Sequence, residues 1–185
     1  MKKTIFFTCV IASVAIGAAV LSQLGLGGGE RTVIGNGSVS ALGRVARATD
    51  RLPPSVLSYP FAARNFASKD GAGARLLKTQ DSLQLYAVPG KGGMLCLVEV
   101  DELAGTAGGA CADRAVLRTG SIYMADRQED GSRQVVGLVG DGHTFAEANG
   151  KRTRVENNAF VLPNAEGTGF TVGSPEATQT VDLGD

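Results

Sequence analysis

Residues 82–100 read SLQLYAVPGKGGMLCLVEV, and this stretch decides the fold. Its first part, 82–88, alternates between apolar and polar positions, with Leu83, Leu85 and Ala87 on one face, which predicts a strand. Residues 89–93 are Pro, Gly and Lys only, and they predict a turn. The second part, 94–100, is apolar on both faces, so we predict a central strand that is buried on both sides.

The chain beyond this stretch continues as short apolar runs that are separated by turn residues. The runs lie at 116–127, 133–139, 151–162 and 168–172, with turns at 129–131, 141–142 and 149–150. Such spacing is typical of antiparallel sheets. We therefore predict a mainly β fold, a small antiparallel β-sandwich or barrel over residues 75–173. A polar, frayed tail is expected over 174–185.

The segment before the β domain, residues 38–74, is basic and is predicted to be partly helical. Residues 38–52 place apolar positions on one face and Arg44, Arg47 and Arg51 on the other, and Pro53 and Pro54 end this helix. A second short helix is expected around 61–67. Residues 31–80 carry eight basic and two acidic groups, whereas 81–185 carry eight basic and fifteen acidic groups. The segment either contacts anionic lipid or the acidic domain, or is simply solvated.

The N-terminus reads MKKTIFFTCVIASVAIGAAVLSQLGL, a basic start followed by a long uncharged run. Residues 5–26 would span ~33 Å as a helix, about the thickness of the hydrocarbon core of a bilayer. We expect residues 1–27 to be a signal anchor that forms a transmembrane helix and 28–37 to be a flexible linker. A cleaved signal peptide is the alternative, and its product would be secreted. Both interpretations place the rest of the chain outside the cytoplasm, and the first makes it a single-pass protein of the cell membrane.

Two of the three cysteines lie in the exported part. Cys9 falls in the apolar run, and Cys96 and Cys111 remain. In an oxidising compartment an even pair indicates a disulfide, and closing a loop of this length stabilises by about 3 kcal/mol in the chain-entropy model. The alternative is a nucleophilic cysteine with His143 as its base, which requires a reduced thiol.

Composition excludes several functions. The chain has 18 Lys plus Arg and 18 Asp plus Glu, and this zero net charge argues against a nucleic-acid partner. One His and three Cys are too few for a Cys/His zinc site outside the apolar run. The glycines at 35 and 37 lack the third glycine of a dinucleotide loop, and no serine-hydrolase signature occurs. We predict no catalytic, metal or cofactor-binding constellation and no cofactor.

Acidic side chains form two clusters that deserve separate interpretation. Neither has the spacing of a known calcium loop, so both are interpreted as solvated turns, as is His143. A paired-carboxylate site is the alternative, and it would use acidic residues at the rim of the sheet such as Asp101 and Asp126. The two clusters are Glu99, Asp101 and Glu102, and Asp126, Glu129 and Asp130.

Five stretches of the chain carry a resemblance to a known family. They are ALGRVARATDRLPP (41–54), LQLYAVPGKGGMLCLVEV (83–100), GGAC (108–111), VVGLVGDGHTF (135–145) and VENNAFVL (155–162). In this order they resemble uncharacterised actinobacterial exported proteins that have an N-terminal membrane segment and a small β-rich domain. Gly140 stands where those proteins usually have proline. The resemblance implies a pairing of Cys96 with Cys111, because both lie in shared stretches, and it implies no activity.

Together these observations predict a membrane-anchored extracytoplasmic β domain of the cell envelope. We expect a non-catalytic binding or structural module, whose partner is an envelope protein or a glycan, with the membrane contacted through residues 5–26. The alternative is an envelope hydrolase that uses the acidic residues at the sheet rim.

Overall fold

The central hairpin predicted from the sequence lies in the middle of a four-stranded sheet. The computed structural model describes residues 37–127, 132–163, 165 and 169–183. Sheet A consists, in spatial order, of β1 (Arg75–Gln80), β2 (Leu83–Pro89), β3 (Leu95–Asp101) and β4 (Thr106–Ala112), all antiparallel. β3 is buried on both faces, as predicted. β2 also buries Tyr86 and Val88, so the face expected to be polar is largely covered.

Two further sheets complete the β domain. Sheet B contains β5 (Ser121–Arg127), β6 (Arg133–Val139) and β9 (Ala159–Leu162), in that spatial order. Sheet C contains β7 (Phe145–Ala148), β8 (Lys151–Arg154), β10 (Gly169–Gly173) and β11 (Thr178–Asp182), in the spatial order β11-β10-β7-β8. Every pairing is antiparallel, and the described strands form open sheets without a closed barrel.

The helices are few and short. They are α1 (Ser40–Gly43), α2 (Pro54–Ser58) and α3 (Pro60–Asn65), with 3-10 turns at Ala48–Asp50, Lys91–Gly93 and Arg114–Arg118. The helix predicted over 38–52 is therefore wrong, and the short helix near 61–67 is confirmed at slightly earlier residues. A helix of this length is marginal by itself, and here specific contacts of Arg44 and Asp50 fix an irregular path instead.

The described residues form four layers, which are the segment 52–66 and sheets A, B and C, and an apolar core lies between each two neighbouring layers. Sheets A and B bury a first core between them, which includes Leu85, Leu97 and Leu138. Sheets B and C bury a second around Phe160 and Phe170. The third lies between the outer face of sheet A and the segment 52–66. Sheets A and B are therefore covered on both faces. This explains why β3 and β6 carry apolar side chains on both of their faces.

The third core depends on a glycine in β4. A Cβ built on Gly109 would lie 2.3 Å from the Phe61 ring, so this aromatic side chain of α3 sits directly on the backbone of β4. Phe61 also meets Phe66 edge to face, with ring centroids 5.9 Å apart. The glycine-rich stretch 104–109 is therefore partly strand and provides a flat docking surface for α3.

Three other expectations are corrected by the strand boundaries. Residues 116–127 are not one strand, because a 3-10 turn precedes β5. Residues 151–162 divide into β8 and β9 because Asn157 and Asn158 have positive φ angles, which turn the chain between them. The tail expected to be frayed contains β11, which pairs with β10 along its whole length.

The predicted disulfide between Cys96 and Cys111 is present. The two residues lie directly opposite each other in the β3–β4 ladder, with their Cα atoms 4.0 Å apart. Because both thiols are consumed in this bond, the alternative of a cysteine nucleophile with His143 as base does not apply to this structure. Cys96 is fully buried in the third core, so the disulfide is also part of the packing under the helical segment.

The predicted membrane span at residues 5–26 and the predicted linker at 28–37, except its last residue, lie outside the described residues. Within the described ranges, no helix has the length and apolar character needed to cross a membrane.

Candidate functional site

An open groove lies on the outer face of sheet A, between β1, β2 and the segment 49–54. Its volume is about 540 Å³, within the range of small-ligand sites. The base is apolar, since Leu52, Pro53 and Leu76 contribute to it, whereas hydroxyl, amide and charged groups line the rest. We call this feature the β1–β2 groove. Its lining consists of Thr49, Arg51, Leu52, Pro53, Pro54, Leu76, Thr79, Gln84, Tyr86 and Glu102.

One buried carboxylate, Asp50, holds the wall of the groove in place. Its oxygens accept hydrogen bonds from both terminal nitrogens of Arg44, one of them at 2.7 Å. They also accept from the backbone N–H groups of Arg47 at 2.7 Å and Leu76 at 2.9 Å. Asp50 is 4% exposed, and the hydrogen bond from Arg44 is the largest of the effects that hold its pKa well below the usual range. The carboxylate therefore fixes the segment 44–50 to β1.

Replacing Asp50 with Asn is expected to loosen this wall. The amide has one acceptor oxygen where the carboxylate has two, so buried donors lose partners and the free energy of unfolding falls by about 2 kcal/mol. Because the native pKa of Asp50 lies below its unfolded value, the wild-type contribution is present above the unfolded pKa and is lost as the pH falls through the native pKa. Urea unfolding of the two proteins at pH 7 measures the difference.

The exposed Asp70 provides the matched control for that substitution, because Asp70→Asn makes the same chemical change on a surface turn. It is expected to leave the urea midpoint almost unchanged. Equal losses in the two variants would contradict the role of Asp50.

A hydrogen-bonded row of three polar side chains crosses the groove, from the buried Tyr86 to the exposed Glu102. The Tyr86 hydroxyl donates to Oε1 of Gln84 at 2.5 Å, and Nε2 of Gln84 donates to Oε1 of Glu102 at 2.8 Å. Burial raises the pKa of Tyr86, and the negative charges of Glu102 and Asp50 add to this effect. The row therefore holds the Gln84 amide in one orientation and leaves a carboxylate oxygen of Glu102 at the surface.

The groove also carries a positive charge. Arg51 lies at its rim, with an exposed side chain that has no bonded partner among the described residues. The hydroxyls of Thr49 and Thr79 are exposed at the same rim. The lining thus combines donors, acceptors, one cation and one anion around an apolar base, which is the composition of a site for a polar ligand with apolar faces.

A pair of carboxyl groups forms a second candidate site between sheets A and B. Glu99 of β3 and Asp126 of β5 both point into the space that holds the first core, and their side chains share a hydrogen bond. Burial is the largest cause that raises the pKa of Glu99 to about 8, and the charges of Asp126 and Asp101 raise it further. Burial also raises the pKa of Asp126. The pair therefore holds at least one proton near neutral pH.

The acidic cluster predicted after β3 is divided among three places. Glu99 faces Asp126, Asp101 closes the following turn, and Glu102 lies at the groove. The Asp101 carboxylate accepts from the backbone N–H of Ala104 at 3.1 Å and of Leu103 at 2.9 Å, and these bonds lower its pKa. The solvated-turn interpretation fits Asp101 but not Glu99. Glu129 and Asp130, which were grouped with Asp126, lie outside the described residues.

His143 is buried rather than solvated, which corrects the expectation from its position after a turn. It is 6% exposed, and its Nδ1 lies 3.0 Å from the carbonyl oxygen of Gly140. Burial lowers its pKa. The nearby Asp141 accepts from the backbone N–H of Ser40 at 3.0 Å and from Nδ2 of Asn158 at 2.8 Å. These residues attach the start of the described chain to the β domain.

Sequence reasoning missed Gln84, Tyr86 and Arg51 as groove residues. Gln84 and Tyr86 share the face of β2 opposite Leu83 and Leu85, so strand periodicity alone places them together. That signal was available, but the sequence did not indicate that residues 49–54 fold over the same face. The described part of the chain contains no group of three or more His, Cys, Asp or Glu residues that could hold a metal ion.

Comparison of the chain with protein families, with curated proteins and with solved structures gives no match.

Proposed function

We propose that this protein is an exported, disulfide-bonded β domain of the cell envelope, anchored in the membrane through residues 5–26, and that it acts as a non-catalytic binding module. The observation that carries the proposal is the Cys96–Cys111 disulfide. Such bonds persist in oxidising compartments and are rare in the cytosol. The basic and apolar N-terminus and the resemblance to exported proteins support the same location.

The binding role rests on the β1–β2 groove. Hydrogen bonds hold Tyr86, Gln84 and Glu102 to one another, and Asp50 fixes the neighbouring segment to β1, so this part of the groove needs little ordering when a ligand binds. The groove is also open to solvent at its rim, where Thr49, Arg51 and Thr79 are exposed. A pre-organised concave surface with few convergent polar groups is the usual form of a ligand site.

The intact mass of the native protein tests location and disulfide together. The protein is extracted from its own cells without reductant, and free thiols are blocked during lysis. We expect the full-length mass less two hydrogens, with one blocking group on Cys9. A mass that corresponds to cleavage near residue 20 would mean a secreted protein. That result would overturn the membrane anchor but not export. Blocking groups on Cys96 and Cys111 would contradict export.

The carboxyl pair favours a second candidate function, an envelope hydrolase. A protonated Glu99 beside Asp126 has the composition of an acid–base pair, in which one group donates a proton and the other activates water. This replaces the earlier pairing of Asp101 with Asp126, since Asp101 is engaged by its own turn. Release of soluble fragments from purified cell walls tests this candidate. Activity that is lost in Asp126→Asn and retained in Asp101→Asn would support it.

A further inference from the structure

We propose that the β1–β2 groove binds a neutral oligosaccharide through the Gln84–Glu102 pair, the threonine hydroxyls and the apolar base. This inference rests on the proposed binding function and names the ligand class for the same site. The residues that carry it come from three separate segments: the wall 49–54, the outer face of β1 and β2, and Glu102 after β3.

The groove matches a sugar chain in size. Its volume of about 540 Å³ is that of a drug-sized ligand site, and it is open at the surface, so a chain longer than the groove can enter and leave at its ends. An enclosed cavity would admit only a single small molecule. An open groove can bind the middle of a polymer while both ends of the polymer extend beyond the groove.

The lining matches the two kinds of surface that a sugar ring presents. The ring's hydroxyl groups are donors and acceptors at once, and the groove offers both kinds of partner. Gln84 has a second amide hydrogen, Glu102 has a second carboxylate oxygen, and Thr79 has a free hydroxyl at the rim. The C–H faces of the ring are apolar, and the proline rings at 53 and 54 together with Leu76 provide an apolar surface for them.

The charges of the groove favour a neutral ligand over a polyanion. Arg51 is its one cationic lining residue and Glu102 its one anionic residue, so the described lining has no net charge. A nucleic acid or a polyphosphate would place repeated negative charge against Glu102. A neutral polyhydroxylated chain meets no such repulsion and uses both charged groups as strong hydrogen-bond partners.

The position of the groove favours a sugar over an extended peptide. A peptide that adds to a sheet bonds to the free backbone of an edge strand. β1 is an edge strand of sheet A, but the groove is lined by side chains on the face of β1 and β2, and β2 is paired on both sides, with β1 and β3. Its lining therefore offers mainly side-chain groups, which suit hydroxyls better than a regular peptide backbone.

Titration of the full-length protein in detergent micelles with three tetrasaccharides tests this inference. The probes are β-1,4-linked glucose, β-1,4-linked N-acetylglucosamine and α-1,6-linked mannose, each to 5 mM, with saturation-transfer NMR as the readout. We expect at least one to bind and its dissociation constant to rise tenfold or more in Gln84→Ala. Gln80→Ala is the matched control, because Gln80 is an exposed glutamine of β1 outside the groove, and it is expected to bind like the wild type.

If Gln84→Ala disturbs folding, Glu102→Gln still tests the inference. Glu102 is exposed, and the amide oxygen introduced by the substitution can still accept a hydrogen bond from Gln84. We expect it to weaken binding threefold or more without a change in melting temperature. The inference is overturned if no tetrasaccharide binds at 5 mM, or if binding survives both substitutions. Binding of a random-sequence peptide pool that Glu102→Gln abolishes would overturn the sugar assignment but leave the binding role intact. Free thiols in the intact-mass measurement would instead overturn the proposed location.

Discussion

Gly137→Ala is expected to cost about 3 kcal/mol of folding free energy. A Cβ on Gly137 would lie 2.1 Å from the ring of Phe160, its partner across the β6–β9 ladder. Phe160 is fully buried and packs against Phe170 with ring centroids 5.6 Å apart, so its ring has no free space to move into. We expect the melting temperature to fall by about 10 °C, and thermal unfolding of the two proteins measures it.

Two further variants make this prediction specific. Gly43→Ala adds the same methyl group at an exposed position with nothing within 4 Å, so it is expected to be neutral or slightly stabilising. Phe160→Leu in the Gly137→Ala background shortens the side chain that the new methyl group meets. We expect this double variant to be more stable than Gly137→Ala alone. Equal stability of Gly137→Ala and Gly43→Ala would show that Phe160 does not lie over Gly137 in solution.

The second large effect concerns pH and the Glu99–Asp126 pair. Glu99 has a pKa raised from 4.5 to about 8 in the folded protein, so between these values the folded state keeps a proton that the unfolded state releases. Stability must then fall as the pH rises, by at most about 1.4 kcal/mol per pH unit. We expect the titration of Glu99 to lower the free energy of unfolding by about 1.6 kcal/mol between pH 6.5 and 8.

The window above pH 6.5 separates this effect from that of His143. Burial lowers the pKa of His143, so its unfolded form binds more protons and its contribution to stability rises with pH up to about 6.5. From pH 6.5 to 8 it gains at most about 0.4 kcal/mol more, which is smaller than the loss from Glu99 and opposite in sign. Urea unfolding at several pH values from 6.5 to 8 therefore reports mainly on the carboxyl pair.

Glu99→Gln removes the titrating group and keeps a hydrogen-bond donor to Asp126. We expect this variant to lose most of the pH dependence and to be more stable than the wild type at pH 8. Glu176→Gln is the control, because it makes the same change at an exposed position in the turn before β11. Wild-type stability that is flat or rising from pH 6.5 to 8 would contradict a half-buried pair that shares a proton.

The pair also has a structural consequence. Glu99 belongs to sheet A and Asp126 to sheet B, so the shared proton joins two layers that otherwise meet through apolar packing. When both groups ionise, two negative charges face each other in a poorly hydrated space. The contact between β3 and β5 is therefore the place where rising pH is expected to loosen the domain first, and local hydrogen exchange of residues 121–127 measures it.

The sequence by itself determined the β character of the domain, the central position of β3 and the pairing of Cys96 with Cys111. These features depend on residue periodicity and on turn residues, which are local signals. A strand that is apolar on both faces must be covered on both sides wherever it lies. Cys96 and Cys111 are the two cysteines outside the apolar N-terminal run, so neither has another cysteine to pair with in that part of the chain.

Tertiary structure alone decided the rest. Residues 38–52 have the pattern of a helix, but Asp50 binds Arg44 and the backbone of Leu76, and these contacts outweigh the weak propensity of a short helix that contains Gly43. Glu99 and Asp101 share a face of β3, but Asp101 is the last residue of the strand and its carboxylate closes the following turn, while Glu102 lies beyond the end of the strand. Glu102 meets Gln84 through the register of the β2–β3 hairpin, and Glu99 meets Asp126 because sheets A and B pack face to face. Such pairings depend on register and layer order, and no local pattern in the chain specifies them.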